Sequence, residues 1–180
     1  MQSFPTLETP RLILRPITES DIDAIYNACS NPKMTEHTLF ETHLNRDVTV
    51  NFLKQYVMPN YAAGIPDPFG IALKDSPHIL IGCTGGRWTE SRCNASVELG
   101  YWIAEPHWNH GYATEAVKAL IPYLFETLEP VRIQAHCMAP NVASARVLEK
   151  AGMTFEGLLR QAFCRRGVHW DIKMYSVLKP

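Results

Sequence analysis

The stretch whose reading decides the fold runs from Val97 to Val117: VELGYWIAEPHWNHGYATEAV. Its first part, Val97–Ile103, is rich in β-branched and aromatic residues and predicts a strand. Pro106 marks a short turn. His110-Gly111-Tyr112-Ala113-Thr114 then leads straight into apolar residues at helical spacing: Ala113, Ala116, Val117, Leu120, Ile121, Leu124 and Phe125. A strand that turns directly into a helix aims several free main-chain N–H groups at one spot, at the positive end of the helix dipole. That is an anion site, and a phosphate fits it. Gly111 permits close backbone approach, Ala113 is small for the same reason, and the Thr114 hydroxyl adds a donor. The segment lacks the GK[ST] ending of a P-loop and is not a GxGxxG turn.

Outward from this segment the chain alternates strands and helices. Leu12–Arg15 predicts a strand. Thr18 and Asp21 resemble a capping box before a helix carrying Ile22, Ile25, Tyr26 and Cys29, which Ser30-Asn31-Pro32 stops. A second helix is expected over Asp47–Val57, and Asn60–Gly70 reads as a surface loop. Strands follow at Phe69–Lys74 and Ile79–Thr84, with Gly85-Gly86 as a turn or bulge. After the helix Tyr112–Glu126, with Pro122 expected to kink it, come a strand at Val131–Cys137 and a helix from Asn141 to Gly152. Two last strands lie near Phe155–Arg160 and Trp170–Leu178. The order β-α-α-β-β-β-α-β-α-β-β predicts an α/β fold: a mixed, mostly antiparallel sheet with one parallel pair and helices on its faces.

With 180 residues the expectation is one domain over positions 1–180. A formal net charge of −1 gives no electrostatic basis for nucleic-acid or membrane binding. Five cysteines, Cys29, Cys83, Cys93, Cys137 and Cys164, form no CxxC pair, so neither a disulfide framework nor a zinc ribbon is expected and a cytoplasmic setting fits. The start, MQSFPTLETPRL, lacks the apolar run of a signal peptide. His107 and His110 read as loop residues, and no metal is expected.

Trp108-Asn109-His110-Gly111-Tyr112-Ala113 resembles the [Q/R]-x-x-G-x-[G/A] pyrophosphate loop of the GNAT acetyltransferase superfamily, with Trp108 in place of the usual Gln or Arg. GYW, GYATEA, Leu7-Glu8-Thr9-Pro10-Arg11-Leu12 and the run from Asn141 through Ser144 and Leu148-Glu149-Lys150 to Gly152 resemble its RimJ/RimL-like branch, the protein N-terminal acetyltransferases. The resemblance spans nearly the whole chain. It implies a GNAT fold, with the sheet splayed between its two parallel strands, and acetyl-CoA as co-substrate. Asn109, His110, Gly111, Tyr112, Ala113 and Thr114 would hold the pyrophosphate, and the main chain of Trp102, Ile103 and Ala104 the pantetheine arm. A bulge near Trp102–Ile103 would supply an oxyanion N–H. Glu98 is the implied base, or else an ion-pair partner of Arg132 or Arg87. Asn141 and Ser144 are a cofactor contact and a proton donor to the thiolate, although capping alone also accounts for Asn141. Some relatives carry a carboxylate where Phe163 stands here. Direct transfer is expected, to a peptide or protein N-terminal amine or to a small-molecule amine, by a monomer or homodimer. A non-catalytic acyl-CoA sensor is the remaining reading. Arg165 and Arg166 read either as a greeting for an acidic acceptor or as a solvated turn.

Overall fold

The computed structural model describes residues 4–89 and 95–179. Cys93, Met1 and the residues next to Met1 lie outside them. An eight-stranded sheet organises the chain. Its strands are β1 (Leu7–Glu8), β2 (Leu12–Pro16), β3 (Phe69–Leu73), β4 (Ser76–Trp88), β5 (Ser96–Ile103), β6 (Arg132–Met138), β7 (Thr154–Arg165) and β8 (Val168–Leu178), in the spatial order β1-β2-β3-β4-β5-β6-β8-β7. All neighbours are antiparallel except β5 and β6. The parallel pair arises because the Tyr112–Leu128 helix carries the chain from the end of β5 back to the start of β6.

Strand alternation divides the sheet between two cores. Leu99 and Ile103 of β5 pack with Val117, Leu120 and Leu124 of helix α5 (Tyr112–Leu128) and Leu148 of α6 (Val142–Lys150). Trp102 turns to the other face. There it meets a cluster built on Ile25 and Cys29 of α1 (Ile22–Cys29) and on Leu53 and Val57. Leu120 is fully buried, and truncating it to alanine is expected to cost ~2–5 kcal/mol.

Asp21 caps the entry to α1 by accepting the Thr18 N–H at 2.8 Å, while both its oxygens take the Arg15 guanidinium at 2.7 and 2.8 Å. Burial pushes the Asp21 carboxyl up, but the Arg15 and Thr18 hydrogen bonds outweigh it and hold the group below its ordinary value.

Two expectations are corrected. Gly85 and Gly86 are no turn: both lie inside β4. A side chain at Gly85 would collide with Asp67 Oδ1, and one at Gly86 would come within 2.5 Å of Leu124, so the glycines serve close packing on both faces. Nor is Asn60–Gly70 wholly a surface loop. The helix expected over Asp47–Val57 is a longer run made of α3 (Arg46–Phe52), a wide turn at Leu53–Val57 and α4 (Met58–Ala62). It pins the following segment inward: Tyr56 donates to Asp67 Oδ2 at 2.6 Å and Tyr61 to the Pro68 carbonyl at 2.6 Å. A short helix, α2 (Pro32–Thr35), follows Asn31, whose side chain caps it.

Candidate active site

The loop after β5 has the geometry its sequence predicts. Asn109 and Gly111 both take left-handed φ, 63° and 79°. Such a conformation turns successive N–H groups toward one side and makes an anion-binding concavity. Gly111 is the N-cap of α5, so the amides of Tyr112, Ala113 and Thr114 have no partner within the helix. The loop is held from outside. Arg11 Nη1 donates to the His110 carbonyl at 3.0 Å, its guanidinium lies 4.7 Å from the Tyr112 ring, and Glu115 accepts from Arg11 Nε at 2.7 Å and from Thr9 Oγ1 at 2.6 Å. The His110 and Tyr112 rings stack at 5.4 Å. An open cavity of about 600 Å³ lies over this helix start, lined by Arg11, Gly111, Thr114, Lys118 and Lys150 among others. Main-chain donors with flanking cations form a fit cradle for a diphosphate. Helix α5 runs on through Pro122 without ending there.

The parallel strands then part. They pair only at Ser96–Arg132, Val97–Ile133 and Glu98–Gln134, although β5 continues to Ile103 and β6 to Met138. On the other edge of β5 the ladder with β4 is regular from Val97 to Ile103, so no bulge falls near Trp102–Ile103. In that ladder Ala104 donates to Ile81 at 2.8 Å and Thr89 to Ser96 at 3.0 Å. Antiparallel alternation therefore commits the main chains of Glu98, Gly100, Trp102 and Ala104 to β4 and turns those of Leu99, Tyr101 and Ile103 toward the gap. The Ile103 carbonyl takes the Trp108 indole N–H at 2.7 Å, which explains an aromatic residue at that loop position.

The start of α6 faces the same gap. Asn141 caps the helix, its side-chain oxygen accepting the Ser144 N–H at 3.0 Å, while its Nδ2 donates to the His37 carbonyl at 3.5 Å. The Ser144 hydroxyl lies 2.8 Å from the Tyr101 hydroxyl, which reaches across from β5 and also donates to the Ser144 carbonyl at 3.0 Å. Burial drives the Tyr101 phenol above its ordinary value, against the opposing contact with Ser144, so it stays protonated at neutral pH. Burial likewise raises the Cys137 thiol, which the Ser144 hydroxyl also contacts, so Cys137 is no ready nucleophile. Tyr101 was not among the residues singled out in the sequence. Its position in GYW, on the face shared with Leu99 and Ile103, is the only signal there.

Glu98 forms the last rung before the strands part. Its carboxylate lies 3.3 Å from Arg87, directly opposite in β4, and 3.8 Å from His136 Nδ1 on β6. Arg132, the other cation open to it by sequence, pairs with Glu156 instead, at 2.5 Å. Phe163 sits in β7 opposite Trp170. Among the described residues no cluster of His, Cys, Asp or Glu could hold a metal, and no helix is long and apolar enough to cross a membrane.

The acetyltransferase (GNAT) domain family model matches residues 11–154. The chain is a GNAT acetyltransferase. The uncharacterized N-acetyltransferase YoaA of Bacillus subtilis is 34% identical over 98% of both chains. The crystal structure of a GNAT-family acetyltransferase from Bacillus anthracis superposes with a TM-score of 0.84 at 25% identity, covering 97% of this chain and 98% of the other. RimL, the ribosomal L7/L12 alpha-N-protein acetyltransferase, solved in complex with coenzyme A, shares the fold with a TM-score of 0.81 at 18% identity, over 97% of this chain and 98% of its own. As a GNAT enzyme the chain is an acetyl-CoA-dependent N-acetyltransferase. In this GNAT chain Gly111 and Thr114 line the cavity over the start of α5, Asn141 and Ser144 open α6 beside Tyr101 of β5, and Glu98 stands at the last rung before the parallel strands part.

Proposed function

We propose that the enzyme acetylates a peptide or protein N-terminal amine by direct transfer, with Glu98 as base and Ser144 as proton donor. The observation that carries this is the gap itself, which starts at the Glu98–Gln134 rung and ends beside the cradle. The cradle amides from Asn109 to Thr114 would neutralise the pyrophosphate. The outward-facing main chain of Leu99, Tyr101 and Ile103 would pair with the pantetheine amides in the manner of an added strand. Trp102 and Ala104, implicated by resemblance, would contribute by position and packing, because their main chains serve β4.

Acetyl-CoA supplies the activated acyl group. The protein's residues then handle protons and position. The acceptor amine must be neutral to attack. Its proton passes to the Glu98 carboxylate, directly or through a water, as the C–N bond forms. The C–S bond breaks, and the Ser144 hydroxyl gives its proton to the departing thiolate. The buried Tyr101 phenol, whose own proton is held by the Ser144 carbonyl, accepts from the Ser144 hydroxyl and so orients it; Ser144 regains its proton from water once the thiol has left. Asn141 fixes Ser144 by holding its amide.

RimL, an alpha-N-protein acetyltransferase of the same fold, supports the choice of acceptor. A thiol-release assay with acetyl-CoA tests it. N-terminal tetrapeptides should outrun free amino acids, spermidine and aminoglycosides in kcat/KM. The reverse ranking would assign the enzyme to small amines, and binding without release would leave it a sensor.

A further inference from the structure

We infer that the acceptor carries an anionic oxygen group, a carboxylate or a phosphate, and that Arg165 reads it. The inference rests on the amine-acceptor reading above and names its substrate class.

Arg165 closes β7, opposite Val168, beside the turn at Arg166–Gly167. By sequence both arginines fit a solvated turn. The structure separates them: Arg166 has 61% of its side chain exposed, whereas Arg165 is 6% exposed. A buried guanidinium carries five donors and a permanent charge, and such groups are normally matched donor by donor. Here Nη1 donates to the Glu36 carbonyl at 2.7 Å, but the buried Nε and Nη2 have no hydrogen-bond partner. The nearest carboxylate, Glu41, lies 3.6 Å from Nε, and it is shared with Arg166 at 3.2 Å.

This half-matched fork lines a cavity of about 500 Å³ together with Lys33, His37, Arg166, Val168 and Trp170. That volume suits a small molecule or the end of a peptide. The His37 ring meets Trp170 edge-on at 6.5 Å, and its buried Nδ1 is also without a partner. The cavity adjoins the transfer site, because the Asn141 side chain that positions Ser144 also donates to the His37 carbonyl. The charged groups around it are Lys33, paired with Glu105; Glu36, 4.0 Å from His37 Nε2; Glu41; and the two arginines. A planar fork with free N–H groups matches carboxylate and phosphate oxygens in a way a lysine would not. A polyamine, cationic along its length, would face like charge here.

The test is equilibrium binding to the protein with CoA present, read by calorimetry, for three matched pairs. They are β-alanine and its amide, phosphoethanolamine and ethanolamine, and the amidated peptides Ser-Asp-Ala-Ala and Ser-Asn-Ala-Ala. The anionic member of at least one pair should bind about tenfold tighter or more, and which pair responds identifies the source of the anion. Arg165→Gln should abolish that preference without changing acetyl-CoA affinity, whereas Arg166→Gln should keep it. Equal binding within all three pairs, weak or strong, overturns the inference. So does a preference that survives Arg165→Gln. The wild-type comparison stands even if that variant folds poorly. If only the small anionic amines bind and are acetylated, this inference holds and the peptide-acceptor reading falls. If both peptides react alike and neither small pair shows a preference, the reverse is true.

Discussion

The two ends of the transfer site are built in opposite ways. The proposed donor end is main chain from one contiguous segment, Asn109 to Thr114, shaped by two left-handed residues and a helix start. The acceptor end is side chain, gathered from α2 and its neighbours and from the β7–β8 hairpin, well over a hundred residues later. Main-chain sites constrain a few backbone angles and leave most side chains free. Side-chain sites depend on which distant residues the register brings together.

The sharpest break of this contrast is Gly111→Val. The position needs a φ of 79°, which a β-branched residue adopts only under strain. Acetyl-CoA affinity should fall about 100-fold while the circular dichroism spectrum stays native. Normal affinity in the calorimeter would remove the phosphate role from this loop. Glu98→Gln comes next: kcat should drop by about 10² with acetyl-CoA affinity kept. An unaltered kcat would return Glu98 to a plain ion pair with Arg87. Ser144→Ala should lower kcat by roughly tenfold, and Tyr101→Phe by less. A double variant no worse than Ser144→Ala alone would show that Tyr101 acts only through Ser144.

The smallest expected effect concerns the clamp behind the cradle. Burial alone would raise the Glu115 carboxyl, but hydrogen bonds from Thr9 and Arg11 outweigh it and hold the group low. A depressed carboxylate stabilises the fold above the ordinary carboxylate range and stops doing so as pH falls through its lowered value. Arg11 is half-exposed, so Glu115→Gln should cost no more than ~1 kcal/mol, seen as a melting-point drop of about 2–4 °C at pH 7 that vanishes as the pH falls below the ordinary carboxylate range.

The same contrast explains what the sequence reveals. The order of elements, the helix start with its free amides and the capping by Asn141 can be read from local spacing, because each depends on neighbours in the chain; the part given to Ser144 comes from the family resemblance. The partner of Glu98 cannot. Arg87 and Arg132 are equal candidates until the antiparallel register sets Arg87 directly opposite. Gly85-Gly86 reads as a turn because nothing local records Asp67 and Leu124 pressing on the two faces of the sheet. Arg165 reads as surface for a similar reason: it is covered by Glu36 and its neighbours, which arrive from the far end of the chain.

Among the described residues three rungs, extended by the bond from the Val131 N–H to the Ala95 carbonyl, stitch β5 to β6. The sheet is thus two leaves, β1–β5 and β6–β8, sharing a short spine, with α5 as the strap between them. A ligand lying along the margin of β5 would act as mortar for both leaves at once. Donor binding should accordingly slow amide exchange in β6 and β8 as well as around the cradle, far beyond the atoms it touches.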